Sequence, residues 1–173
     1  MRILGIDPGL HICGYSCLET GSAGIQMVEA GVIRTEVRST LSQRLCRIAT
    51  DLDQLLDDLA PDVLAVEQLY SHYAHPRTAI LMGHARGVIL QRCAERSIEI
   101  RHFAATRIKK SVTGNGRASK GQVQRTVQTL LGLSKLPEPP DVADALAAAM
   151  CCAESMRVEK VRERIQHGLR IRK

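Results

Sequence analysis

The chain opens on an apolar run, Ile3-Leu4-Gly5-Ile6, that ends in Asp7-Pro8-Gly9. A short apolar run closed by a turn signal predicts a buried strand over Arg2 to Asp7. Gly14 to Leu18 and Ile25 to Arg34 are two further strand candidates, separated by Thr20-Gly21-Ser22, whose composition suits a hairpin turn. The period then changes. Leu41, Leu45, Ile48, Leu52, Leu55 and Leu59 recur at steps of three and four, which lines one face of a helix and leaves Asp51, Asp57 and Asp58 to solvent. Pro61 ends that helix, and Val63 to Val66 forms another buried strand with Glu67 at its C-terminal end. Arg77 to Arg96 predicts a long helix led by Pro76, and Ser97 to Phe103 a last strand. The remainder reads as helical, interrupted by Gly114-Asn115-Gly116 and by Pro137-Glu138-Pro139-Pro140.

This order predicts an α/β domain with a mixed sheet, an antiparallel meander first and parallel strands after it. The domain is expected over residues 1–155, with a basic tail from 156 to 173 that is either helical or disordered. At 173 residues and 45% hydrophobic, the chain can build one proper core but not two. It has no Trp and a single Phe, so Leu, Ile, Val and Ala must fill that core. No apolar run approaches the roughly 18 residues a membrane span needs. Asp7 also interrupts the first run too early for a signal-peptide core, so a cytoplasmic protein is expected. Six cysteines, at 13, 17, 46, 93, 151 and 152, show no Cys-x-x-Cys spacing, which speaks against zinc and for free thiols in a reducing compartment.

Charge sharpens the reading. The net charge is +6, yet the segment from Arg101 to Pro137 holds eight Lys or Arg and no acid, and the tail from Glu154 to Lys173 holds seven basic and three acidic residues. Clustered cations beside an acidic remainder suit a polyanionic partner, because phosphates reward them through counterion release. A solvated basic face is the alternative.

Four acids are the candidate chemistry. Asp7 and Glu67 each end a predicted strand, and sites in open α/β sheets form beyond the carboxyl ends of strands. Asp141 and Asp144 are three apart at the start of a helix predicted over Asp141 to Met156, which places them on one face. Asp7 can also serve as a turn residue, and Asp141 as a helix cap. Asp144 is harder to explain that way, because Ala145 to Met150 is nearly all apolar and a buried acid is costly unless paired or metal-bound. Together the four form a set of hard oxygen ligands suited to magnesium. The basic stretch adds Lys109, Lys110, Arg117 and Lys120 around a glycine-rich loop. That loop lacks the spacing of a P-loop or a dinucleotide fingerprint, so a flexible surface loop is an equal reading. Tyr70 and Tyr73 follow Glu67, where rings can stack on unpaired bases or pack in the core.

Six segments in order resemble the RuvC family of Holliday-junction resolvases: Leu4-Gly5-Ile6-Asp7-Pro8-Gly9, Val66-Glu67-Gln68, Gly83-His84-Ala85-Arg86-Gly87, Lys109 to Gly114, Lys120-Gly121-Gln122-Val123 and Asp141 to Ala147. The resemblance implies a ribonuclease-H-like five-stranded mixed sheet flanked by helices. It also implies a homodimer whose interface is largely the Arg77–Arg96 helix, and magnesium-dependent nicking of two strands of a four-way DNA junction. Asp7, Glu67, Asp141 and Asp144 match the family's acidic tetrad, with two Mg2+ ions roughly 3.5–4 Å apart and Mn2+ as a substitute. Asp7 is the expected bridging ligand. Lys109 and Lys120 match basic residues near the scissile phosphate, and Tyr70 falls where the family usually has a junction-probing Phe. Lys110 and Arg117 are expected to contact DNA, and the family implies the RuvA–RuvB branch-migration complex as a partner. The segment from Ser71 to Arg77 departs from the family pattern, and the tail has no family role. Two rival functions stay open: a nuclease of the same fold acting on RNA or RNA–DNA hybrid, and a non-catalytic junction- or RNA-binding module.

Overall fold

The computed structural model describes residues 1–22, 24–69 and 76–171. Its strands are β1 (Arg2–Asp7), β2 (Ile12–Gly21), β3 (Gly24–Arg34), β4 (Val63–Glu67) and β5 (Glu99–Phe103). Its helices are α1 (Leu41–Leu59), α2 (Pro76–Glu95), α3 (Ala105–Thr113), α4 (Lys120–Leu131) and α5 (Pro140–Ile171). The strands form one sheet in the order β3-β2-β1-β4-β5. β1, β2 and β3 pair antiparallel, whereas β1–β4 and β4–β5 are parallel.

β1 and β4 are apolar without alternation because helices cover both faces of the sheet. Ile3, Val63 and Ala65 pack with Ile108, Val123 and Leu146 of α3, α4 and α5. Leu4, Ile6, Leu64 and Val66 pack with Ile48, Leu52, Ala85 and Ile89 of α1 and α2. α1 begins in a capping box between Thr40 and Gln43 and ends at Ala60 in the left-handed conformation. Its deeply buried face is Ile48, Leu52, Leu56 and Leu59, while Leu55 lies at the edge of the core. All six cysteines are free, and only Cys46 is exposed.

Three predicted boundaries move. β2 and β3 run further than expected and pair as far as Gly21 opposite Gly24, so Thr20 and Gly21 belong to the ladder rather than the turn. β5 starts at Glu99, because Ser97 takes a positive φ of 58° in the preceding turn. The helix expected to stop at Met156 continues to Ile171, so residues 156–171 extend α5 without a break.

Two glycines set the position of α5. A Cβ on Gly5 of β1 would run into the Ala145 carbonyl, and one on Gly14 of β2 would run into the Asp141 carbonyl. The helix backbone therefore rests directly on the sheet. Gly14 is also the register partner of Asp7, so the close approach brings Asp141 beside the end of β1. Gly14→Ala should push α5 away at that point, costing about 1–3 kcal/mol. Urea unfolding measures the loss, and junction cleavage should fall with it.

Candidate active site

Asp7 ends β1 and Glu67 ends the adjacent parallel β4, with Ile6 paired to Val66 one residue before each. Asp141 and Asp144 lie in the first turns of α5, held above β2 by Gly14. Lys120 is the first residue of α4, fixed by a capping box in which Ser119 accepts from the Gln122 N–H and Gln122 accepts from the Ser119 N–H. Lys109 projects from α3. All six side chains line one open cleft of about 640 Å³. The carboxyl ends of two strands and the N-terminal turns of two helices thus converge, although the acids are up to 137 positions apart in sequence (Asp7 to Asp144).

The electrostatics show that these acids sense one another. Burial, then the charges of Asp144, Asp141 and Glu67, push the Asp7 carboxyl up to about 7 despite the nearby Lys120 ammonium. Asp7 keeps an open edge to the cleft, but most of its surroundings are protein. Glu67 is raised by burial and by Asp144, with Lys109 and Lys120 opposing. The Lys120 ammonium donates to Asp144 Oδ2 at 3.0 Å. Partial burial would lower Lys120, but that hydrogen bond and the charges of Asp144, Asp7 and Asp141 outweigh it and hold the ammonium above its usual value.

Among the described residues, no three His, Cys, Asp or Glu side chains stand in the tight geometry of a finished metal centre. The donor set nevertheless fits a hard divalent cation: four carboxylates around one cleft, two of them destabilised as anions by burial and by a neighbouring carboxylate. A cation relieves that repulsion, whereas an apolar ligand does not.

Lys110 and Arg117 are exposed and do not line the cleft. The glycine-rich loop between them closes on itself: Asn115 N–H donates to Thr113 Oγ1 at 3.1 Å, and Arg117 N–H to Asn115 Oδ1 at 3.0 Å. Gly114 supplies the left-handed end of α3 at φ 75°. Tyr70 and the segment Ser71–His75 lie outside the described residues. The cleft also contains His11 and Arg44, which the sequence reading missed. Arg44 precedes the buried Ile48 by four positions, so it shares the core-facing side of α1, and that spacing was the available signal. Arg86, in one of the motif segments, donates from Nε to the Glu67 carbonyl at 3.1 Å and thereby ties α2 to the end of β4.

A five-stranded mixed sheet between helical layers, with acids at adjacent strand ends and on the last helix, defines the ribonuclease-H-like class. A yeast mitochondrial Holliday junction resolvase shares this fold at a TM-score of 0.60 and 13% identity, covering 86% of this chain and 76% of its own. The family model described as crossover junction endodeoxyribonuclease RuvC matches residues 3–152. The chain belongs to the RuvC family. The RuvC of Rhodopirellula baltica is 48% identical over 149 residues, covering 86% of this chain and 84% of that protein. The RuvC of Thermosipho melanesiensis is 41% identical over 157 residues, 91% of this chain and 99% of its own. Thermus thermophilus RuvC in complex with a Holliday junction substrate superposes at a TM-score of 0.84 with 28% identity, covering 92% of this chain and 96% of that one. Among the described residues, no helix is long and apolar enough to cross a membrane.

Proposed function

We propose that this chain is a structure-selective endonuclease that resolves four-way DNA junctions in recombination and repair, acting in the cytoplasm. The observation that carries the proposal is the convergence of Asp7, Glu67, Asp141 and Asp144 with Lys109 and Lys120 in one cleft of a RuvC-family chain. The four carboxylates would hold two magnesium ions, with manganese as a substitute, and Asp7 on the central strand would be the ligand most central to them. Held by these residues, magnesium would supply a Lewis acid that activates water and offsets negative charge on the reacting phosphate.

The rest of the work falls to the protein. Lys120 stands beside Asp144 with a permanent positive charge, positioned to meet charge building on the scissile phosphate. Lys109 does the same on the Glu67 side of the cleft. Lys110 and Arg117 extend a basic surface for the flanking backbone, and Tyr70 stacks on bases at the junction centre. A homodimer through α2 places two such clefts for paired nicks on strands of like polarity. Ile80, 61% exposed on α2, supports an apolar contact there. The RuvA–RuvB complex is the proposed supplier of the junction.

Metal loading requires Asp7 as its carboxylate. With its proton held up to about 7, magnesium affinity should fall roughly tenfold per pH unit below that value. Calorimetric titration between pH 5.5 and 8 checks this; a flat affinity contradicts it. The activity itself is tested with a synthetic four-way junction, a linear duplex and an RNA–DNA hybrid. Magnesium-dependent cleavage of the junction in preference to the other two supports the proposal, and preferential cleavage of the hybrid contradicts it.

A further inference from the structure

A second cavity, of about 390 Å³, lies beside the catalytic cleft and shares one wall with it. Its walls carry Arg34 at the end of β3 and Arg44 and Arg47 on α1, with Glu36 as the one acid. Arg44 borders both cavities. Its guanidinium is held by one hydrogen bond, from Nε to Thr35 Oγ1 at 2.9 Å. Thr35 is itself buried and donates to the Leu10 carbonyl at 2.5 Å, so Arg44 is fixed to the turn that follows Asp7.

Among the described residues, that arrangement leaves both terminal amino groups of Arg44 without a partner. Arg47 likewise commits only Nε, to Asp51 at 2.7 Å, and the Arg34 side chain makes no hydrogen bond or ion pair among the described residues. Three guanidiniums with unused donors around one concavity suit a tetrahedral oxyanion, which arginine grips through paired N–H groups. The first turn of α1 carries no acid to oppose an anion. The ends of β1 and β3 and the start of β2 lie at the same end of the sheet, since Ile12 pairs with Arg34 and Gly14 with Asp7, so the cavity lies at the end that carries the acidic cleft.

We propose that the cavity lined by Arg34, Arg44 and Arg47 holds a backbone phosphate of the junction DNA flanking the scissile one. The proposal rests on the junction reading above and extends it with a positioning contact: a phosphate gripped here fixes which neighbouring linkage enters the catalytic cleft.

The test uses the full chain and a synthetic junction in magnesium-free buffer, with binding measured from low to moderate salt. Arg34→Ala/Arg47→Ala should weaken binding about tenfold at low salt. The slope of log affinity against log salt should become shallower by up to about 0.9, the value for one phosphate. Junctions carrying a single neutral methylphosphonate near the cut should show one position that costs the parent chain about tenfold and the double variant clearly less, because both changes act on the same contact and only Arg44 remains. Glu36→Gln, which removes the opposing acid, should tighten binding. An unchanged salt slope, methylphosphonate losses equal in parent and variant at every position, or weaker binding by Glu36→Gln each overturns the proposal. If the parent chain itself neither binds nor cuts the junction, it is the functional reading that fails.

Discussion

Asp7→Asn is expected to lose at least about three orders of magnitude in junction cleavage while binding the junction as well as the parent chain does. A catalytic metal is worth several kcal/mol of transition-state stabilisation, and each 1.36 kcal/mol is about tenfold in rate. Asp7 is the acid whose charge is opposed by all three others, so it is the centre of the cluster and the ligand whose loss disturbs most. Asparagine keeps the shape and removes the charge. The same change should stabilise the metal-free protein. The folded-state pKa of Asp7, about 7, lies above the ordinary aspartate value of 3.8, so the folded chain holds this proton more tightly than the unfolded chain. The stability it contributes is complete below 3.8 and is lost as pH rises through 7. Asparagine removes that loss. The advantage of Asp7→Asn should therefore be absent near pH 4 and grow to at most about 4 kcal/mol above pH 7. Thermal unfolding of both chains in chelator across that range measures it. A variant that is inactive and less stable at pH 8 would instead mark Asp7 as structural.

Lys120→Ala should lower single-turnover cleavage by about 10²–10³-fold, the usual cost of removing one preorganised charge aimed at a phosphoryl group. Its effect on folding should be small. The lysine of the Lys120–Asp144 pair is 67% exposed against 25% for the aspartate, and a pair with one largely solvated partner contributes about 1 kcal/mol. The Ser119–Gln122 capping box does not depend on the lysine, so α4 stays in place. A large rate loss with intact stability and junction affinity is the expected signature. A fall in affinity matching the fall in rate would reduce Lys120 to a binding contact.

Much of the fold was legible because period and punctuation agree in this chain. The step of three and four from Leu41 to Leu59, stopped by Pro61, gave α1 its observed limits. The unbroken apolar runs at Ile3 and Val63 foretold strands covered on both faces. Asp7 and Glu67 could be placed because strand ends are visible in sequence. The juxtaposition of Asp141 with Asp7 could not. It depends on Gly14, whose role is to let a helix carbonyl approach a strand, and a lone glycine in Cys-Gly-Tyr signals nothing about what lies above it. Arg44 was missed for a related reason: its placement follows from how α1 sits on the sheet and from the buried Thr35 that holds it. The length of α5 escaped because residues 157–167 are exposed and mostly polar, so no apolar face marks where the helix ends.

The most direct experiment maps the products of a synthetic four-way junction to single-nucleotide resolution, with the parent chain and Asp7→Asn in parallel. Two magnesium-dependent nicks at symmetric positions on strands of like polarity, absent with Asp7→Asn, are the expected result. An intact junction with the parent chain, or equal cutting by the two chains, would show that the acidic cleft is not the catalytic centre proposed for it.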